Sequence, residues 1–182
     1  MSKAEIFDRY PVSSVIMYNG TTMVHFLAGG FIFLFLTKVI GSTGIIVAVL
    51  YTALSFLEMY IIMPMKVCTN CVYFRLPDSL CISGLNVFAR LIAKPGKPAN
   101  FPNRAKGLLC QNNLYILSLV LPILCGAIFL VFKFNLLLLG LVIGLFVLLA
   151  LRFFVIIPGM ACVHCRSKFI CPQAGQMGVR EK

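Results

Sequence analysis

Two stretches of the sequence repeat one pattern: IIMPMKVCTNC at residues 61–71 and VIIPGMACVHC at residues 155–165. In each stretch an apolar run reaches a proline, Pro64 or Pro158, and a Cys-x-x-Cys pair begins four residues later. The pairs are Cys68 with Cys71, and Cys162 with Cys165. Cysteine and proline are uncommon in so apolar a chain, so their matched order indicates duplication. The prolines are expected to end two helices and turn the chain into the cysteine pairs.

The match extends beyond the prolines when the second half is shifted back by 94 residues. A third cysteine follows each pair, Cys81 in the first half and Cys171 in the second. Glu58 aligns with Arg152, and each interrupts an apolar run. We predict two tandem copies of a two-helix unit, related by a pseudo-two-fold axis along the membrane normal. Glu58 and Arg152 either pair across the bundle or reach toward the lipid headgroups.

Composition identifies the class of protein. The chain has 182 residues, of which 60% are hydrophobic and 12% charged, and its mean hydropathy is +0.99. These values are typical of an integral membrane protein. Each of four apolar runs is long enough to cross about 30 Å of hydrocarbon as a helix. The predicted fold is an all-α membrane protein with four transmembrane helices, at residues 21–40, 44–65, 114–132 and 136–157.

These spans divide the chain into five segments. They are an N-terminal segment (1–20), a first transmembrane hairpin (21–65), a cysteine-containing segment (66–112), a second hairpin (113–158) and a cysteine-containing tail (159–182). Within the middle segment, one helical face carries Leu85, Val87, Phe88, Leu91 and Ile92, with Arg90 and Lys94 directed to water. This pattern predicts a short helix that lies either on the membrane surface or against the end of the bundle.

Charge indicates the orientation. The net charge is +11, from 16 Lys and Arg against 5 Asp and Glu, and the positive-inside rule accounts for it without nucleic acid as a partner. The two short hairpin loops hold Lys38 and Lys133. The opposite side holds Lys3, Arg9, Lys66, Arg75, Arg90, Lys94, Lys97, Arg104, Lys106, Arg166, Lys168, Arg180 and Lys182. We therefore expect a multi-pass protein with both termini and both cysteine clusters in the cytoplasm.

The cysteines predict a metal centre. Each Cys-x-x-Cys pair offers two thiolates to one ion, so two pairs complete a four-cysteine shell. The six candidate ligands are Cys68, Cys71, Cys81, Cys162, Cys165 and Cys171. Shells made only of cysteine suit zinc and iron–sulfur clusters. Nearby cations would offset the negative charge of the thiolates; the candidates are Arg75, Arg90, Arg166, Lys168 and Arg180. His164 is expected to support the ligands rather than to be one.

The predicted function is that of a membrane protein with a cytoplasmic cysteine-ligated metal centre, either an iron–sulfur cluster or zinc. An iron–sulfur cluster would serve electron transfer, with the chain as a subunit of a membrane redox complex. The expected partners are the lipid bilayer and other subunits of that complex. One alternative is a structural zinc site that braces a partner-binding surface. A second is a soft-metal-ion transporter that also uses Cys125. A third is a dithiol oxidoreductase, but four-helix membrane enzymes of that kind hold their reactive cysteines on the outer side. A cytoplasmic location disfavours structural disulfides.

The sequence lacks the motifs that several other classes of protein require. The chain has no glycine-rich phosphate loop, no Ser/His/Asp set and no paired carboxylates, which argues against a hydrolase. With His25 as the single histidine in the apolar runs, haem held by two histidines between helices is excluded.

Overall fold

Four long helices form the protein. The computed structural model describes residues 4–108 and 110–180, without the side chains of residues 39 and 40, so Lys3 and Lys182 lie outside the described residues. The described part is helical apart from turns and isolated bridges, and it contains no β-strand. The helices long and apolar enough to cross a membrane are Val12–Leu34, Thr43–Asn70, Gln111–Phe132 and Leu136–Cys162. We call them the first to fourth spans. The prediction of an all-helical chain with four spans is confirmed.

Several shorter elements make up or connect the spans. The first span is α1 (Val12–Leu34), and α2 (Thr37–Ile40) follows it. The second span consists of α3 (Thr43–Leu57), a π-helix (Glu58–Ile62), α4 (Met63–Lys66) and a 3₁₀ turn (Cys68–Asn70). Next come α5 (Val72–Arg75), α6 (Leu85–Ile92) and a 3₁₀ helix (Pro98–Ala105). The third span is α7 (Gln111–Phe132). The fourth consists of α8 (Leu136–Leu151) and a π-helix (Arg152–Cys162). A 3₁₀ turn (Arg166–Phe169) and α9 (Pro172–Gln176) end the described chain.

The first span begins earlier than the predicted run at 21–40. Its helix starts directly after Pro11, whose φ of −55° suits the start of a helix. The polar residues before residue 21 are accommodated inside the helix. The side-chain amide of Asn19 donates to the Val15 carbonyl at 2.9 Å and to the Ser83 carbonyl at 3.0 Å. The helix also ends earlier, at Leu34, before the separate turn of α2.

The expectation that Pro64 and Pro158 end their helices is wrong. The second span continues past Pro64 to the first cysteine pair, and Pro158 lies inside the π-helix of the fourth span. A proline removes one backbone donor from the α-helical ladder and crowds the preceding turn. The wider π-helical turns next to each proline accommodate this change, and the spans run on into the cysteine pairs.

The four spans pack into one bundle in which the first span contacts the other three. Phe26 and Leu119 are fully buried toward the cysteine end, and Ile32 and Leu138 are buried toward the hairpin loops. The outward faces of the spans carry exposed apolar side chains such as Leu50, Ile128 and Phe146. These faces are compatible with contact to the lipid bilayer.

Arg152 neither pairs with Glu58 nor reaches toward the lipid headgroups, so neither of the two predicted arrangements is found. The guanidinium of Arg152 is 1% exposed and donates through Nη1 to the Tyr18 carbonyl at 3.3 Å and to Thr21 Oγ1 at 3.1 Å. It also lies 4.4 Å from the centre of the Tyr18 ring and 5.5 Å from that of Tyr115. Among the described residues, the one ion pair joins Arg166 and Asp8. A cage of two aromatic rings and two oxygen acceptors stabilises this buried cation instead.

Close packing between the spans should make Gly126 intolerant of a side chain. A Cβ atom at Gly126 would lie 2.6 Å from Val142 Cγ2 and 3.1 Å from Ile32 Cγ2. Gly140 in α8 is the matched control, because no atom lies within 4 Å of its Cβ position. We expect Gly126→Ala to destabilise the protein by about 1–3 kcal/mol through overpacking. Gly140→Ala should leave the melting temperature unchanged or raise it. Thermal unfolding in detergent measures both, and equal melting temperatures would contradict the packing.

Candidate functional site

The six predicted ligands come together around one space. The sulfur-bearing residues of both halves line a cavity of about 150 Å³ at one end of the bundle. They are Cys68, Cys71, Cys81, Cys162, Cys165 and Cys171. None of the six is in a disulfide. Two loops more than ninety residues apart in the sequence therefore deliver their thiols to a common place.

The two Cys-x-x-Cys loops have the same backbone arrangement. The amide of Cys71 donates to the carbonyl of Cys68 at 3.0 Å, and the amide of Cys165 donates to that of Cys162 at 3.2 Å. Cys71 has φ −79° and ψ 149°, and Cys165 has φ −77° and ψ 126°. Each of these extended residues is followed by a four-residue helical turn. The second cysteine of each pair is thus held on a short turn that leads away from the end of a span.

The loops also contact each other. The sulfur of Cys71 lies 3.1 Å from the hydroxyl oxygen of Ser167, which belongs to the other loop. The third cysteines are fixed by hydrogen bonds to their backbones. Asn86 Oδ1 accepts from the amide of Cys81 at 3.0 Å, and Arg180 Nη2 donates to the carbonyl of Cys171 at 3.0 Å.

The donor set fits a thiolate-bound metal in kind, but not in its present spacing. Six uncrosslinked thiols facing one cavity have the chemistry that zinc and iron–sulfur clusters require. Within residues 4–108 and 110–180, however, no three His, Cys, Asp or Glu side chains are placed so that they could hold a metal ion. Ligation would therefore require the thiols to move inward from the cavity wall.

Burial raises the pKa of the Cys71 and Cys165 thiols and so favours their protonated form. Burial and the neighbouring Cys71, Cys162 and Cys171 raise the pKa of Cys165 to about 12. Burial also raises the pKa of Cys71, although the hydrogen bond with Ser167 opposes this shift. A thiol with a raised pKa is a poor nucleophile at neutral pH, because the thiolate is the reactive form. A bound metal cation would favour the thiolates and release protons.

The cations predicted to lie near the thiols are engaged elsewhere. None of the five lines the cavity. Their acceptors are the Gly96 carbonyl for Arg75, the Tyr73 and Leu76 carbonyls for Arg90, Asp8 for Arg166, the Val163 carbonyl for Lys168 and the Cys171 carbonyl for Arg180. Arg90 is thus turned inward, contrary to the prediction that it faces water.

Arg104 is the cation on the cavity wall. It lies in the 3₁₀ helix Pro98–Ala105, with its guanidinium 5.4 Å from the centre of the Phe101 ring. Its charge acts on thiols of both halves, Cys68, Cys71 and Cys162. Its Nε is buried and has no hydrogen-bond partner among the described residues. Sequence reasoning counted Arg104 only as one of many basic residues, since its place beside the cysteines depends on how the segment between the second and third spans folds back.

The N-terminal segment is a second feature that the sequence did not reveal. Residues 4–11, here called the N-terminal strap, join the two cysteine loops. The amide of Phe7 donates to the His164 carbonyl at 3.0 Å, and the amide of Tyr10 donates to the Leu80 carbonyl at 2.9 Å. Tyr10 itself lines the cavity. The strap therefore bridges the loop of Cys165 and the residue before Cys81.

His164 and the two remaining cysteines lie outside the cavity wall. The His164 ring stacks on Phe7 at 4.4 Å, and its Nδ1 is 2.8 Å from the Glu5 carbonyl oxygen, so it holds the strap. Cys110 is buried beside a separate polar pocket. Cys125 packs within the third span against a cluster around Phe33, Ala48 and Tyr51.

The raised pKa values predict how the thiols react with iodoacetamide when metal has been removed. For Cys165 the alkylation rate should rise about tenfold per pH unit past pH 9, because thiolate continues to form up to a pKa of about 12. The alkylation rate of Cys71 should also continue to rise above the pH at which an ordinary thiol is fully ionised, because its pKa is raised. The unfolded chain is the control, and its rates should level off near pH 8.5–9. Mass spectrometry of the labelled peptides gives each rate. A plateau below pH 9 for Cys165 in the folded protein would contradict the proposed burial.

No protein family, curated protein or solved structure matches the chain. The candidate function therefore depends on the residues around the cavity.

Proposed function

We propose that this chain is a membrane protein whose six cysteines hold an iron–sulfur cluster that serves electron transfer, alone or as a subunit of a membrane redox complex, with a structural zinc site as the second candidate. The observation that carries the proposal is the convergence of all six thiols, three from each half, on one cavity. Random placement of cysteines in a bundle of this size would not bring two distant Cys-x-x-Cys pairs to the same space.

The size of the cavity favours a cluster over a single ion. Zinc takes four ligands with Zn–S distances of about 2.3 Å, so a zinc site needs little space beyond its sulfur atoms. Here six thiols surround about 150 Å³. A structural zinc site is the second candidate, and the N-terminal strap favours it because it already braces both loops at the surface.

A dithiol oxidoreductase and a soft-ion transporter have less support. A dithiol oxidoreductase attacks its substrate with a thiolate of lowered pKa, whereas the pKa values of Cys71 and Cys165 are raised. A soft-ion transporter would need ligands that continue into the membrane. Cys125 does not line the cavity and packs against Phe33, Ala48 and Tyr51.

We also propose that the chain is a tandem duplication with a pseudo-two-fold axis along the membrane normal. The support for the duplication comes from the segments that lead into the two cysteine loops. The two π-helices begin at Glu58 and Arg152, which are separated by the repeat offset of 94 residues. Both lead into cysteine loops with matching backbone hydrogen bonds. The excess of Lys and Arg beside the loops supports a cytoplasmic location for both termini and for the cysteines.

Metal analysis and absorption spectroscopy of the purified protein test the centre. We expect iron with acid-labile sulfide and a brown colour for a cluster, or colourless stoichiometric zinc for the second candidate. Cys68→Ser and Cys162→Ser should each lower the metal content, because the site draws on both halves. Cys125→Ser is the matched control and should retain metal. Folded protein without bound metal after anaerobic purification, or metal loss in the control alone, would refute the proposal.

Arg104 should tune a cluster at this site. Reduction adds negative charge beside the guanidinium, so removal of its positive charge disfavours the reduced form. We expect Arg104→Gln to lower the reduction potential, while Arg104→Lys stays near the original value. Arg75→Gln is the control, because Arg75 donates to the Gly96 carbonyl outside the cavity. Redox titration of the visible absorption measures the potentials. An equal shift in the Arg75 and Arg104 variants would show that Arg104 has no special role.

A further inference from the structure

Helix α6 presents an apolar face that the described residues leave exposed in part. Val87, Phe88, Leu91 and Ile92 are 46%, 40%, 80% and 42% exposed. The opposite face is buried: Leu85, Asn86 and Ala89 are each 5% exposed or less. The exposed side chains are thus apolar, and the inward face carries the polar Asn86. A helix at a water-exposed surface has the opposite arrangement, with polar side chains outward and apolar side chains inward.

The position of α6 indicates what covers this face. Ser83, just before the helix, accepts a hydrogen bond from Asn19 Nδ2 at 3.0 Å. A Cβ atom on Gly84 would lie 3.4 Å from Val15 Cγ1. Val15 and Asn19 belong to the first two turns of the first span, so α6 begins beside the end of a membrane-spanning helix. On its other side α6 contacts α4, near the end of the second span.

The apolar surface of the spans continues to this level. Val12 and Ile16 of the first span are 61% and 65% exposed, and Met65 near the end of the second span is 50% exposed. Lys94 and Lys97 follow α6 and are exposed. The apolar face of α6 thus lies at the level where the spans end, and lysines follow it in the chain. This combination is typical of a helix at the lipid–water interface.

We propose that α6 lies in the membrane interface, with Val87, Phe88, Leu91 and Ile92 in the lipid and Lys94 and Lys97 at the headgroups. The occupant of the apolar face is the lipid surface on the side of the membrane that carries the cysteine loops. This placement does not depend on a bound metal.

The lipid contact would hold the first cysteine loop in place. Asn86 binds the amide of Cys81, and Arg90 Nη2 donates to the Tyr73 carbonyl at 2.8 Å and to Ser79 Oγ at 2.6 Å. These bonds connect the buried face of α6 to the chain between Cys71 and Cys81. A helix fixed in the interface therefore fixes the height of these two cysteines relative to the bilayer.

A single tryptophan tests the proposal, since the chain contains none. Leu91→Trp adds a fluorophore at a side chain that is 80% exposed, so the fold should not be disturbed. Asn100→Trp is the matched control at an exposed polar position in the same segment. Both variants are reconstituted into vesicles whose lipids carry brominated acyl chains.

We expect the emission of Leu91→Trp to be blue-shifted, quenched at least twofold by the brominated lipid and protected from iodide in the buffer. Asn100→Trp should show the opposite behaviour. Emission of Leu91→Trp at the wavelength of exposed tryptophan, with iodide quenching equal to the control, would overturn the proposal and assign the face to a protein partner. The result is independent of the metal test, because Cys68→Ser in the same background should leave the fluorescence unchanged.

Discussion

Six thiols that share a buried space impose the main physical constraint on this fold. Ionised sulfur is costly in a region of low dielectric unless a cation compensates it. The protein surrounds the thiols with apolar and aromatic side chains and places one guanidinium, that of Arg104, on the cavity wall. The raised pKa values of Cys71 and Cys165 favour neutral thiols at these two positions. A neutral thiol disfavours thiol exchange, which needs the thiolate, and is compatible with the proposed metal ligation, in which a cation would favour the thiolate.

The elements around the cavity fix the two cysteine loops through contacts from outside the loops. Each Cys-x-x-Cys pair follows a π-helix at the end of a span, where the backbone departs from regular α-helical geometry. Such segments often occur at functional sites. The strap, α6 and the 3₁₀ helix Pro98–Ala105 then fix the loops from several sides. The regular α-helices of the spans form the bundle, and the irregular segments at its end position the cysteines around the cavity.

Much of this fold could be predicted from sequence, because a span is a local property of some twenty apolar residues. The fourth span, for example, was predicted from the apolar run at residues 136–157, and its helix begins at Leu136. The start of the first span was misplaced because the residues before 21 mix polar and apolar side chains, whereas a polar one, Asn19, bonds to the carbonyls of Val15 and Ser83. The convergence of the cysteines was foreseeable from the sequence pattern shared by residues 61–71 and 155–165. The role of Arg104 and the pairing of the strap with both loops were not, since they depend on contacts between residues far apart in the chain. Charge alone suggested Glu58 or the lipid headgroups as partners of Arg152, and aromatic rings proved to be its partners.

The strap has a consequence for biogenesis. Glu5 contacts His164 across 159 positions of the chain, so the strap can dock only after the fourth span has been synthesised. Until then the cavity lacks both the second cysteine loop and the side of its wall formed by Tyr10. The site is thus completed only when synthesis of the bundle is nearly finished.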